Sequence, residues 1–347
     1  MSFCSPEAAR PVRDSASPSW ARTTRACWSG RVATATTSTL PARPTRAPVG
    51  EWSHGQGTCE TAAVVVLVCP VRGCRRPLAR GAGRLACRRG HSFDVARSGY
   101  VNLLQPQERQ SARPGDSAAI RGARRRFQAR GFETPLMDAV AGLLSLAPTE
   151  AVLDVGCGEG HHLAVLAARF RCEGHGIDIS LAAIDAAARQ HPGLHWIVAN
   201  ADRFLPYADA SFRVVASITA RRNAVEFRRV LREDGALLVI VPAPDDLIEL
   251  RAAVLGEGVM RDRVADVVES LAPLFALARR ERLRRRAHFD AEAVRDAMVG
   301  SYRGLRASQR GRLASLGDLD VTLSRDALLF RPSAPRSRRG TRPRRDR

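Results

Sequence analysis

The sequence contains no lysine. All 55 of its Lys+Arg residues are arginine, against 35 Asp+Glu, which leaves a formal net charge of +20. Complete replacement of lysine is compatible with genome base composition. The size of the imbalance is not explained that way and calls for a polyanionic partner, of which nucleic acid is the usual one. Long apolar runs are also missing: "AAVVVLV" (62–68) falls far short of the roughly 20 residues of a membrane span, which excludes a bilayer helix. The first 60 residues carry no charged-then-apolar leader, so the expected location is the cytoplasm. Aromatics make up only 5% of the chain, so a core must be built chiefly from Ala, Val and Leu. Eight cysteines in 347 residues are too few and too locally spaced for a secreted disulfide scaffold, and point to metal or free thiols in a reducing compartment.

Five segments are expected. Residues 1–63, rich in Ser, Thr, Ala, Pro and Arg, hold no sustained periodicity and are expected to be disordered, or to follow from a start assigned ahead of one near Val64; Cys4, Cys27 and Cys59 there carry no assignment. A compact Cys/His module spans 64–104. A linker with helices at about 117–130 and 135–146 fills 105–146, with Asp116 or Ser117 as the first cap. From 147 to 331, short apolar runs alternate with helical stretches ("AVLDVG", "LAVLAARF", "GHGIDI", "LAAIDAAARQ", "LHWIVAN", "FRVVASI", "AVEFRRVL", "ALLVIVP"), the pattern of a doubly wound α/β fold with a mainly parallel sheet. The tail 332–347, with seven arginines and one aspartate, is expected to be disordered.

In the module, Cys69 and Cys74 are separated by four residues and Cys87 and His91 by three, with twelve between the pairs. Two close-spaced pairs joined by a short loop can wrap one tetrahedral Zn²⁺ as a closed Cys₃His set, whose role is to fold a module too small to fold alone. Between residues 69 and 130 fifteen arginines face only Asp94, Glu108 and Asp116, which gives +12 of the total charge. This region is expected to bind phosphate backbone, with Arg124, Arg125 and Arg126 the densest run.

"VLDVGCGEG" (152–160) reads as a strand ending in Asp154, followed by Gly156, Gly158 and Gly160 at the start of a helix. Such a loop lets a ligand approach the backbone. The next strand ends in Asp178, placed to hold a ribose diol, and a third leads into "NADRFLPYADASF" (200–212), including Asp202, suited to an adenine edge. His161, His162 and Cys157 are assigned no role. Together these features resemble the class I S-adenosylmethionine (SAM)-dependent methyltransferases, with a Rossmann-like fold; a dinucleotide-binding domain is the competing reading.

The runs "GHSFDVARSGYVNLL" (90–104), "PGDSAAIRGARRRF" (114–127) and "VLDVGCGEG", in that order after the Cys/His module, resemble the 23S ribosomal RNA guanine-N1 methyltransferases over about residues 66–331. That family includes a branch conferring resistance to macrolides such as tylosin and mycinamicin. The resemblance implies zinc on Cys69, Cys74, Cys87 and His91, an RNA hairpin as partner of the zinc module, and donor contacts from Gly158 and Glu159. It leaves open whether the chain is a homodimer. Three positions depart from the family pattern: Glu133 stands where a tyrosine near the donor is expected, Arg221 where proline is expected, and Asp246 where a donor-contacting histidine is expected. Asp116 and Asn223 are the candidates for contacting the base, which must leave its stack. The rival functions are a methyltransferase acting on a small molecule or protein, and a zinc-folded RNA-binding protein with a decayed donor pocket.

Overall fold

A computed structural model describes residues 65–108, 115–302 and 304–333. The expectations for 1–63, including its three cysteines, and for nearly all of the tail from 334 onward fall outside the described residues. In chain order the elements are β1 (Ala79–Gly81), β2 (Arg84–Ala86), β3 (Ser92–Asp94), β4 (Val101–Asn102), α1 (Ala118–Ala129), α2 (Thr134–Gly142), β5 (Ala151–Val155), α3 (His161–Phe170), β6 (Glu173–Asp178), α4 (Leu181–Gln190), β7 (His195–Val198), β8 (Phe212–Ile218), α5 (Ala224–Val230), β9 (Leu231–Pro242), α6 (Ile248–Leu255), α7 (Val264–Leu271), β10 (Phe275–Phe289), α8 (Ala291–Ser301), α9 (Ala307–Ser315) and β11 (Leu319–Pro332). The cap expected at the first helix is Ser117, whose hydroxyl accepts from the Ile120 amide.

An eight-stranded sheet in the order β10-β11-β9-β8-β5-β6-β7-β4 carries the large domain. Neighbours pair in parallel from β4 to β9, and β11 runs antiparallel to both β9 and β10. All five residues of β5 are buried, as a strand covered on both faces requires. Its alternation sorts the two layers. Ala151, Leu153 and Val155 join α5, α7 and the Cys/His module on one face, and Val152 joins α3 and α4 on the other. Chain order reverses between β5 and β8, and such a switch point opens a crevice at the carboxyl ends of the strands.

The boundary expected at residue 104 is not a boundary in packing. β4 belongs to the module by sequence but extends the large sheet, pairing Val101 with Ile197 and Asn102 with Val198. The segment ahead of β1 bridges the loop after β7: Val68 N donates to Pro206 O at 3.0 Å and Ala208 N to Val66 O at 2.9 Å. Ser98 Oγ donates to Asp185 Oδ1 at 2.7 Å, Arg203 pairs with Glu108, and the Arg75 guanidinium lies 5.0 Å from the centroid of the Phe204 ring. Cys69, Leu78, Leu85 and Cys87 share one apolar cluster with Leu153, Ile177 and Tyr207. A module of three short strands has little apolar surface of its own and takes its core from the neighbouring domain.

Candidate metal centre and donor site

Cys69 and Cys74 flank one tight turn, and Cys87 and His91 a second between β2 and β3. Gly73 (φ +75°) and Gly90 (φ +83°) occupy the left-handed positions that close these turns. The turns bring four donor atoms within 4.8 Å of one another. Cys69 Sγ to His91 Nδ1 is 3.3 Å, Cys87 Sγ to His91 Nδ1 is 3.5 Å, and Cys74 Sγ to Cys87 Sγ is 3.8 Å. Around tetrahedral Zn²⁺, with Zn–S of about 2.3 Å and Zn–N of about 2.0 Å, ligand atoms lie roughly 3.5–3.8 Å apart, so the set fits the ion. Burial pushes the Cys69 thiol up to about 12. At Cys87 burial acts in the same sense, but hydrogen bonds from the Arg89 and His91 backbone and from the neighbouring thiols outweigh it and bring the thiol down to about 6.

At the other centre, β5 delivers Asp154 and then the glycine loop. A Cβ at Gly156 would lie 2.5 Å from Ala220 Cβ, and one at Gly160 2.2 Å from the Trp196 ring, so both glycines are required by close approach as well as by positive φ. A Cβ at Gly158 would meet nothing within 4 Å. The loop is therefore packed at both ends and open at its centre, a cradle for a ligand. Asp178 braces it: Oδ2 accepts from Gly158 N at 3.0 Å and Oδ1 from Ser180 N at 2.8 Å. Each carboxylate oxygen keeps a second lone pair for a ligand hydroxyl. Asp154 is 1% exposed, neither of its oxygens has a hydrogen-bond partner, and burial pushes its pKa up to about 6. A buried carboxylate with both acceptors unmet fits a cationic ligand, and SAM carries a sulfonium and an ammonium.

Other expected site residues have partners inside the protein. Glu159 receives a bidentate pair from Arg125, at 2.7 and 2.8 Å, and lies 3.5 Å from Arg121. Arg124 pairs with Asp116 and donates to Gly300 O at 2.8 Å, and Arg126 holds Asp296 at 2.9 and 2.5 Å. The Arg124–Arg126 run expected to face RNA thus clamps α1 to the glycine loop, the 115–117 turn and α8. Gly115 packs against Ser180, where a Cβ would come within 2.5 Å. This sets Asp116 close enough to help raise the pKa of Asp178, whose main cause is burial. Asn223 caps α5 through Oδ1 at 3.2 Å and donates from Nδ2 to Ala201 O and Asp202 O, so its amide ties the loop after β7 to the loop after β8.

The three departures from the family pattern are each matched by an ion pair. Glu133 lies 3.2 Å from His162 Nε2. Burial opposes its charge, but the His162 contact outweighs burial and draws the carboxyl down to about 2. Arg221 Nη1 is 3.0 Å from Asp202 Oδ2. Asp246 accepts from Ser324 N at 2.9 Å and pairs with Arg325. His162 and Arg325 carry no role in the sequence reading; the signal available was a carboxylate standing where a neutral side chain is expected, which needs a cation nearby. A second cluster, Glu173, His175 and His195, sits at the opposite end of β6 and β7, where both imidazoles contact one oxygen of Glu173 at 2.9 and 3.2 Å.

Comparison with known proteins settles the family. Residues 67–112 match the zinc-ribbon model described as RlmA, N-terminal, and residues 152–235 match a methyltransferase domain. The chain is 38% identical over 234 residues to the 23S rRNA (guanine(748)-N(1))-methyltransferase of Streptomyces fradiae, covering 66% of this chain and 81% of that protein. The chain belongs to the 23S rRNA guanine-N1 methyltransferase family. It is also 40% identical over 224 residues to a putative member from Micromonospora griseorubida, covering 58% of this chain and 74% of that protein. A third relative, from Bacillus subtilis, is 40% identical over 192 residues, with 53% and 66% covered. The class I fold, the SAM donor and the zinc-binding module expected from the sequence all stand, and the module is a zinc ribbon. Among the described residues no helix is long and apolar enough to cross a membrane.

Proposed function

We propose that this protein transfers the methyl group of SAM to N1 of a guanine in a hairpin of 23S ribosomal RNA in the cytoplasm, an activity that can confer macrolide resistance. The observation that carries the reading is the continuity between the ribbon and the donor site. The ribbon docks on the loop after β7, which borders the donor crevice, and seven arginines between residues 72 and 89 are exposed on it. RNA phosphates held on that surface would bring a base to the crevice. Bound SAM supplies an electrophilic methyl group. In this reading the glycine loop 156–160 carries the methionine portion of the donor, Asp178 holds the ribose hydroxyls, and Asp154 faces positive charge. The ribbon and the loop after β8 position the acceptor, and closeness of methyl and nucleophile supplies much of the rate. Incubation with SAM and protein-free 23S RNA, followed by mapping of N1-methylguanine as a reverse-transcription stop, tests the assignment. A single stopped position absent without enzyme is the expected result, and methyl transfer to protein or small molecules alone would refute it.

Asp154 gives a pH dependence. Its carboxyl titrates at about 6, so the anion that favours a cationic donor forms as pH rises through that value. SAM affinity measured by calorimetry should rise between about pH 5 and 7, and Asp154→Asn should flatten the rise.

A further inference from the structure

The loop after β8 carries backbone strain and an unmatched cation. Thr219, the first residue beyond β8, has φ +54°. A β-branched residue in that region is strained, and such strain collects at functional sites. It directs Ala220–Asn223 across the end of the glycine loop, where Ala220 packs on Gly156. The segment lines a cleft of about 560 Å³ with Asp202, Ala224 and Ser270. Its two arginines differ. Arg221 is exposed and paired with Asp202. Arg222 is partly buried; Nη1 donates to Ala220 O at 3.2 Å, while Nε is buried without a partner. Among the described residues no carboxylate pairs with it, and burial together with the charge of Arg263 pulls its pKa down. A guanidinium with an unmet donor, beside a second cation and two residues beyond the one that packs on the donor loop, is arranged to receive an anion.

Resting on the functional reading above, we propose that Arg222 is a catalytic residue that binds O6 of the target guanine and stabilises the charge O6 takes up as N1 loses its proton. The N1 proton passes to solvent water, and the N–H electron pair stays on the ring, shared between N1 and O6. N1 then bonds to the methyl carbon as the carbon–sulfur bond breaks, its electron pair going to sulfur, and O6 returns to a neutral carbonyl. The products are N1-methylguanine, S-adenosylhomocysteine and one proton. The site thereby acidifies the acceptor instead of supplying a base. No general base is then required, and the two residues expected to contact the nucleobase are engaged within the protein: Asp116 is paired with Arg124 and the Asn223 amide is spent on backbone groups.

The test is the pH dependence of kcat on protein-free 23S RNA for wild type, Arg222→Gln and Arg222→Lys. Wild-type kcat should level off at a lower pH than the titration of N1 in free guanosine. Arg222→Gln should lower kcat roughly 10²–10³-fold near pH 7, the usual cost of removing one stabilising donor. Its profile should move to higher pH so that the deficit narrows, and Arg222→Lys should recover part of the loss. SAM affinity and melting temperature of both variants should match wild type. A raised KM with unchanged kcat would make Arg222 a phosphate contact, and a deficit constant with pH would make it structural; either overturns the proposal. A wild-type plateau at the pH of free guanosine overturns it without any variant. Wild type methylating no guanine N1 would instead refute the functional reading itself.

Discussion

Cys87→Ala should cost the protein both its zinc and much of its donor affinity. Judged by sequence, the substitution would unfold residues 66–104 and spare the donor domain, which has its own core. The structure changes that expectation, because Cys69 and Cys87 sit in the same apolar cluster as Leu153, Ile177 and Tyr207. Structural zinc is worth roughly 10–16 kcal/mol in zinc-finger peptides, as much as the whole stability of a typical domain at about 5–15 kcal/mol. Without the metal the two turns that hold Leu67 and Val68 in place lose their tie. The bridges from Val68 to Pro206 and from Ala208 to Val66 then have no fixed partner. These bridges fasten the loop that leads from Asn200 and Asp202 past the donor crevice. Zinc content by elemental analysis should fall from one ion per chain to none. The melting temperature should drop, and SAM affinity by calorimetry should weaken about tenfold or more, equivalent to about 1.4 kcal/mol. Zinc-free protein that binds SAM as tightly as wild type would show that ribbon and donor site are independent.

What could be read in the sequence was chemistry carried by neighbours along the chain. The Cys/His spacing, the run "VLDVGCGEG" and the acid ending β6 each lie within a few residues, so their geometry follows from local turns. Contacts closed by the fold could not be read that way. Arg124, Arg125 and Arg126 register as bare charge because two of their acids, Glu159 and Asp296, lie 34 and 170 residues away. The fold runs across the boundary expected at residue 104, because β4 is two residues long and finds its partner in β7. β10 gave no strand signal for a different reason. Its less exposed positions include Glu281, Leu283, Arg285 and Ala287, so its period-2 alternation does not register as apolar against polar. It is held instead by its long pairing with β11 and by Asp326, which receives both Arg280 and Arg282. His162 reads locally as an exposed or capping histidine after the glycine loop, because its partner Glu133 lies 29 residues away.

Asp246→Ala should be among the most destabilising single changes in the donor domain. Asp246 is 4% exposed and meets Arg325, whose side chain is 13% exposed. Burial pulls the Arg325 pKa down, opposed by the charge of Glu133. Truncating one partner of such a pair takes the contacting counterion from the other charge and leaves only the more distant influence of Glu133, which costs up to about 3–5 kcal/mol. It also removes the acceptor of the Ser324 amide within β11. Arg325→Met in the same background takes away the stranded cation and keeps its volume, so the double variant should recover most of the loss. Asp246→His restores the residue expected from the family but brings no negative charge, and should destabilise as well while Arg325 is present. Urea unfolding of wild type, Asp246→Ala, Arg325→Met and the double variant forms a double-mutant cycle that reads the coupling directly. A cost below about 1 kcal/mol for Asp246→Ala, within the range of exposed ion pairs, would mean that water reaches Arg325 and that the pair does not take over the place of the missing histidine.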